Sequence, residues 1–279
     1  MASSSNHISP ILELNKSINE VWKKPFLKFG HGGAAGLAPA NTLESLELAL
    51  AMEVDVVEFD VRPCADALVL LHDDSLIKFN SSKLASQCTL NELRSMDFNK
   101  VHKIATLNDA LDLLKGRCLI NIDLKADGYE AAVHDLVATR GLAPDVIYSS
   151  VIASSLRHMR ELAVDAMIGL SYPEDRGDAA SKPILKPMVS GALLVMRLTL
   201  PFRILTMMAN AQANAVMLYH RVISSQSINK VQQAGGRVFT WTVDDPVRMY
   251  QLRKLGVNGI TTNHPELFNI PHEGITGIH

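Results

Sequence analysis

The sequence predicts a (β/α)8 barrel, and three observations carry that prediction. Nine short apolar runs of strand character recur along the chain, most of them separated by segments of helical period. Strand–helix–strand alternation repeated this often implies parallel pairing. Eight or so such units within about 250 residues suit a closed barrel better than an open doubly wound sheet. At 279 residues, 47% hydrophobic and 20% charged, the chain can bury a sizeable core. No internal repeat, linker or low-complexity tract divides it, so one domain over residues 1–279 is expected.

In chain order the expected strands are LKFGH (27–31), DVVEFDV (55–61), ALVLLH (67–72), CLINIDLK (118–125), DVIYSS (145–150), AMIGLS (166–171), AVMLYH (215–220), VFTWTV (238–243) and GITT (259–262). After the first, NTLESLELALAME reads as a helix. Asn41 offers a cap, Glu44 three residues on completes a capping box, and Leu43, Leu46 and Leu50 form the apolar stripe. Residues 73–105 break the rhythm with polar sequence such as FNSSKLASQ, and are expected to be a small insertion in the loop after the second or third strand. Near the end, DDPVRMYQLRKLG has Pro246 in its first turn and Gly256 at its stop, the usual asymmetry of a helix.

Composition excludes several classes. A net charge of −2 gives no overall field for nucleic acid or an anionic membrane. Cys64, Cys88 and Cys118 are odd in number and lack C-x-x-C spacing, which fits a reducing compartment. The stretch MASSSNHISPILELNKS has no basic segment followed by an apolar core, so no signal peptide is expected and a cytoplasmic protein is. Residues 191–208, GALLVMRLTLPFRILTMM, barely reach spanning length and are interrupted by Arg197, Pro201 and Arg203. No transmembrane segment is expected there. The run reads as a buried or half-exposed part of the fold, or as an apolar lip touching lipid or substrate.

The glycines of FGHGGAAGLAPA fall at 30, 32, 33 and 36, out of register for a dinucleotide fingerprint, and LAPA separates them from the helix. They suit a chain that leaves a strand at His31 and turns tightly beside a ligand. A histidine at a strand's C-terminal end lies where barrel enzymes keep their chemistry, although a structural histidine fits there equally. Strand alternation puts Glu58 and Asp60 on one face of DVVEFDV and Val57, Phe59 and Val61 on the other. Helices cover the outer face of a barrel with apolar contacts, so the carboxylates should point inward. The same spacing pairs Asp123 with Lys125. Three inward carboxylates need protons or a cation, and an all-oxygen set suits Mg²⁺ or Ca²⁺ rather than zinc. The alternative is an exposed edge strand whose Glu58 and Asp60 pair with Lys or Arg. His72 closes another run and is followed by Asp73 and Asp74.

In sequence order, His31-x-Gly33, Pro39-x-Asn41-Thr42, Glu58-x-Asp60-Val61, His72-Asp73 and Asp123-x-Lys125 resemble the glycerophosphodiester phosphodiesterases. WTVDD at 241–245 and GVNGITTNHP at 256–265 are similar to that family's closing motifs, so the likeness runs from about 27 to 268. It implies a TIM barrel that hydrolyses a small-molecule phosphodiester. By position it implies one divalent cation on Glu58, Asp60 and Asp123, and acid–base roles for His31 and His72. It also implies phosphate contact by Lys125 and a pocket lined by Asn41 and Trp241. The chain departs from the family pattern at Gly32, usually arginine, at Ala40, usually glutamate, and at Asn263, usually aspartate. Asp123 stands where glutamate is commoner. Gly32 removes a bidentate phosphate contact, which leaves the phosphodiester to the cation and Lys125 or to an arginine from elsewhere, Arg62, Arg197 or Arg221, and is expected to make room for a bulkier headgroup, such as a sugar phosphodiester of the opine kind. A lyase stopping at a cyclic phosphate, as in spider-venom phospholipase D enzymes, and a non-catalytic phosphodiester-binding barrel are the other readings.

Overall fold

The computed structural model describes residues 21–96, 103–174 and 186–270. The N-terminal stretch read for a signal peptide, residues 97–102 of the insertion and the 271–279 tail of the expected domain lie outside them.

All nine expected strands form. Eight close a parallel barrel: β1 (Leu27–Gly30), β2 (Val56–Pro63), β4 (Leu119–Leu124), β5 (Val146–Ser150), β6 (Met167–Tyr172), β7 (Ala215–Tyr219), β8 (Arg237–Trp241) and β9 (Gly259–Thr262). β1 pairs with both β2 and β9, which shuts the ring. The ninth, β3 (Leu68–Leu70), corrects the expectation for 67–72. It runs antiparallel to the end of β2, with Val61 opposite Leu70, as the return arm of a ribbon outside the barrel. A short chain reversal joins β2 to β3, and parallel neighbours cannot be joined so briefly. The insertion therefore hangs on the β2 connection. It carries turns at Ile77–Phe79 and Ala85–Gln87 and the helix α2 (Leu90–Ser95), capped by Thr89 and Glu92.

The first barrel helix, α1 (Leu43–Ala51), starts one residue later than Asn41 implies. Thr42 is its cap, accepting from the Ser45 N–H, while Asn41 takes a left-handed φ of 64°. Its buried side is Ser45, Leu46 and Ala49, with Leu43 exposed. The remaining barrel helices are α3 (Leu107–Leu114), α4 (Glu130–Ala138), α5 (Ala153–Leu162), α6 (Lys186–Ala211), α7 (Ser225–Gln233) and α8 (Pro246–Lys254). In α8, Asp245 is the cap and Pro246 opens the helix, and Gly256 follows its end with a φ of 90°.

Strand parity sorts the core into two clusters. Val57, Phe59, Val61, Ile120, Ile122 and Leu124 face outward into the layer between barrel and helices. Leu27, Phe29, Val56, Leu119, Ile147, Met217 and Phe239 fill the barrel interior, with Phe29 and Phe239 rings 4.9 Å apart. Each such buried side chain contributes about 1.5–3 kcal/mol. These interior residues lie toward the N-terminal ends of their strands, so the barrel has an apolar floor. The next inward positions, Glu58, Asn121 and Ser149 on β2, β4 and β5 and the aromatic Tyr219 and Trp241 on β7 and β8, lie toward the C-terminal mouth. Cys64, Cys88 and Cys118 are free and buried.

Candidate active site

Two residues beyond Val56 on the inner face of β2 comes Glu58, then Asp60. On β4 the inner series after Leu119 is Asn121, Asp123 and Lys125. The ladder sets Asp60 directly beside Asp123. One oxygen from each of Glu58, Asp60 and Asp123 lies within 4.8 Å of the others, and all three residues are buried. β2 lies between β1 and β4, so the exposed-edge reading of Glu58 and Asp60 does not apply.

Each carboxylate is held by named donors. The backbone N–H of Gly32 donates to Glu58 Oε2 at 2.8 Å. Asn41 Nδ2 donates to Asp60 Oδ2 at 2.8 Å, and Asn41 Oδ1 accepts from the Asp60 N–H at 3.0 Å. That two-ended clasp is what the left-handed turn at Asn41 secures. The Ser149 hydroxyl donates to Asp123 Oδ1 at 2.6 Å. Lys125 Nζ lies 2.8 Å from Asp60 Oδ1 and 2.5 Å from Asp123 Oδ2. The backbone of Lys125 is anchored in turn, since its N–H donates to the Tyr129 hydroxyl, which donates to the Val61 carbonyl.

The charges do not balance. Against three carboxylates stands, among the described residues, one ammonium within hydrogen-bond reach, Lys125. Burial outweighs the favourable His31 charge at Glu58; with repulsion from Asp60 and Asp123 it lifts that carboxyl to about 7. Asp60 goes the other way: burial works against ionisation, yet Lys125, His72 and His31 hold it well below the usual carboxylate range. The carboxylates raise Lys125 in spite of burial. A buried, all-oxygen set with surplus negative charge fits a hard divalent cation.

His31 follows β1 directly. Its Nδ1 lies 2.7 Å from Asn263 Oδ1. An amide oxygen only accepts, so Nδ1 carries the proton. Burial lowers the basicity of His31, but Glu58, Asp60 and the Asn263 bond outweigh it and the pKa is raised. His72 emerges from the β3 ribbon with its side chain 62% exposed and Nδ1 2.7 Å from Asp73 Oδ1. It is close enough for its charge to act on Asp60. Trp241 closes β8, across the ring from β4, with Nε1 donating to the Met217 carbonyl and its ring 5.5 Å from Tyr219.

Gly32 does not make the room expected of it. It has a φ of 52°, and a Cβ there would lie 2.8 Å from Ala40 Cβ. The space is at Ala40 instead. A cavity of about 230 Å³ lies between that turn and the insertion, bordered by Pro39, Ala40, Asn41, Leu71, His72 and Phe79. Arg62 donates to the His72 carbonyl at 2.9 Å and Arg221 to Ser190 Oγ at 3.3 Å. Arg197 lies by Arg248. Asp244, Ser149 and Tyr129 escaped sequence reading. Ser149 had a usable signal, its inward parity in DVIYSS.

The glycerophosphoryl diester phosphodiesterase family model matches residues 31–267. A glycerophosphodiester phosphodiesterase of Arabidopsis thaliana is 27% identical over 258 residues, covering 88% of this chain and 72% of the relative. One from Caldanaerobacter subterraneus is 25% identical over 264 residues, covering 89% and 98%. The crystal structure of an Oleispira antarctica phosphodiesterase in complex with the product sn-glycerol-3-phosphate has the same fold. Its TM-score is 0.68 at 20% identity, covering 87% of this chain and 95% of that one. The chain belongs to the glycerophosphoryl diester phosphodiesterase family and is an enzyme of that class.

Proposed function

We propose that this enzyme hydrolyses a glycerophosphodiester or a related sugar phosphodiester to a phosphomonoester and an alcohol, with a divalent cation and two histidines. The supporting observation is the meeting of Glu58, Asp60 and Asp123 with Lys125 and His31 at the barrel mouth. Glu58, Asp60 and Asp123 would hold the cation, Mg²⁺ or Ca²⁺, which as a Lewis acid draws charge from a phosphate oxygen.

The side chains supply the rest. Lys125 offers a second positive contact to the phosphate. Because Asn263 keeps a proton on His31 Nδ1, only Nε2 can exchange one. One histidine takes the proton of the nucleophile, either water or a hydroxyl beside the ester. The other gives a proton to the leaving alkoxide. Each transfer is worth about 10²–10⁴-fold. Attack by the neighbouring hydroxyl forms a cyclic phosphate that water then opens, with the two histidines exchanging roles. The cavity beside Asn41 and His72, floored by Ala40 where the family pattern has glutamate, suits the alcohol portion.

The test is ³¹P NMR on the purified protein with glycerophosphodiesters and sugar phosphodiesters, with and without EDTA. An EDTA-sensitive phosphomonoester is the expected product, lost in Glu58→Gln and His31→Asn variants that remain folded. A cyclic phosphate that persists would make the protein a lyase. Diesters unchanged under every cation tried would overturn the catalytic reading.

A further inference from the structure

Helix α6 differs from its neighbours in length and in what it exposes. It runs 26 residues, about 39 Å at the usual rise per residue, whereas the other barrel helices have eight to ten. One side packs on the barrel through Leu193, Leu200, Ile204, Met208 and Ala211. The opposite side of such a helix is ordinarily polar. Here Leu194, Val195, Leu198, Phe202 and Leu205 are all exposed, Phe202 by 79%. Their spacing puts them in one continuous stripe.

The stripe has a consistent charge beside it. Residues 186–211 contain no acidic side chain, while Arg197 and Arg203 flank the apolar residues. Lys230 of α7 lies 5.5 Å over the Phe202 ring. Two contacts locate the helix against the mouth. Arg203 donates to the hydroxyl of Tyr172, the last residue of β6, at 3.1 Å. Arg221, in the turn after β7, donates to Ser190. The N-terminal half of α6 therefore extends past the strand ends, on the barrel face that carries His31 and Glu58.

We propose that the exposed stripe of α6 docks on an anionic lipid surface and brings the barrel mouth alongside the headgroups. Met188–Ala211 is long and apolar enough to cross a membrane by length and composition. Spanning would strip Leu200, Ile204 and Met208 from the barrel, whereas lying along the interface keeps them packed. In that position the apolar side chains enter the acyl boundary and Arg197 and Arg203 meet anionic headgroups. The docking stands on the helix alone. Its consequence for substrate, that headgroup diesters are presented to the site, rests on the phosphodiesterase reading above.

The test is co-sedimentation of the full-length protein with phosphatidylcholine vesicles, with and without phosphatidylglycerol. Wild type should sediment with the anionic vesicles and several-fold less with the neutral ones. Leu198→Gln/Phe202→Gln should reduce binding to anionic vesicles about tenfold or more, with circular dichroism and turnover of a water-soluble glycerophosphodiester unchanged. Arg197→Gln/Arg203→Gln should lose the preference for anionic lipid. Wild type that ignores vesicles, or the apolar pair binding as tightly as wild type, would overturn the proposal. So would a dimer in light scattering that the apolar pair splits, because a second copy would then be what covers the stripe. Vesicle binding without turnover of any diester would leave the docking standing and remove the phosphodiesterase reading.

Discussion

Asp244 decides which end of the Asn263 side chain faces His31. Its Oδ2 accepts from Asn263 Nδ2 at 2.6 Å, and its Oδ1 accepts from the backbone N–H of Asn263 at 2.9 Å. The amide oxygen is thereby left for the imidazole. Asp244→Asn puts a group there that can face either way, so the Asn263 amide is no longer fixed. We expect kcat to fall about 10–100-fold, as when other orienting partners are lost, with KM little changed. Exchanging the pair, Asp244→Asn with Asn263→Asp, sets a carboxylate against His31 and should raise its pKa further. The limb of the kcat/KM profile that requires neutral His31 should then move to higher pH. A profile unmoved in the exchanged protein would mean that this pair does not govern His31.

The crowded carboxylates repel one another, so without a cation the site should cost folding stability. Glu58→Gln keeps an acceptor for the Gly32 N–H and deletes one buried charge. In chelator above pH 7, the variant should melt several degrees higher than wild type by differential scanning fluorimetry. Adding Mg²⁺ or Ca²⁺ should raise the wild-type melting temperature and leave the variant nearly still. Equal responses would dissociate Glu58 from cation binding.

Replacing Gly32 by the family's arginine should damage the fold before it alters specificity. A left-handed conformation costs a non-glycine residue about 1–2 kcal/mol, and the clash with Ala40 adds to that. Gly32→Arg should lower the melting temperature, and Gly32→Ala should do so too. Ala40→Glu, which narrows the cavity without a backbone penalty, is the better probe of headgroup preference.

His220, at the end of β7, should make folding sensitive to mild acid. Burial lowers its pKa from 6.5 to about 4, with Arg248 and Arg221 adding to the effect. Its Nδ1 has no hydrogen-bond partner among the described residues. Between those two values the unfolded chain binds the proton and the native state does not, so stability falls as the pH is lowered through that window. Thermal melts across it should be flatter for His220→Gln than for wild type.

The parts of the site that could be read from sequence are those governed by strand parity. Alternation along DVVEFDV and CLINIDLK assigned Glu58, Asp60, Asp123 and Lys125 to one face, because a closed barrel leaves each strand only an inside and an outside. What alternation cannot report is how distant segments meet. The Asp244–Asn263–His31 chain joins the ends of β1, β8 and β9, residues up to 232 positions apart. Asn41 looked like a helix cap because its local sequence suits one, yet Asp60 takes both ends of its amide and Thr42 caps the helix. The run 67–72 looked like any other strand. Its direction is set by a reversal at Pro63–Ala67, not by its own side chains.

That reversal gives the two histidines different mechanical footing. His31 is rooted in a strand hydrogen-bonded on both sides within the ring, whereas His72 follows a three-residue ribbon outside it, paired with β2 on one edge and held on the other by the Val69–Thr106 bridge and the bond from the Leu70 N–H to the Ala105 carbonyl. Peripheral elements open at lower free energy than the core they lean on. Amides of Leu68–Leu70 should therefore exchange with deuterium sooner than those of Val56–Phe59. On the proposed two-histidine mechanism, one proton carrier would then leave and return while the other stays in place, so that product could depart without disturbing the barrel.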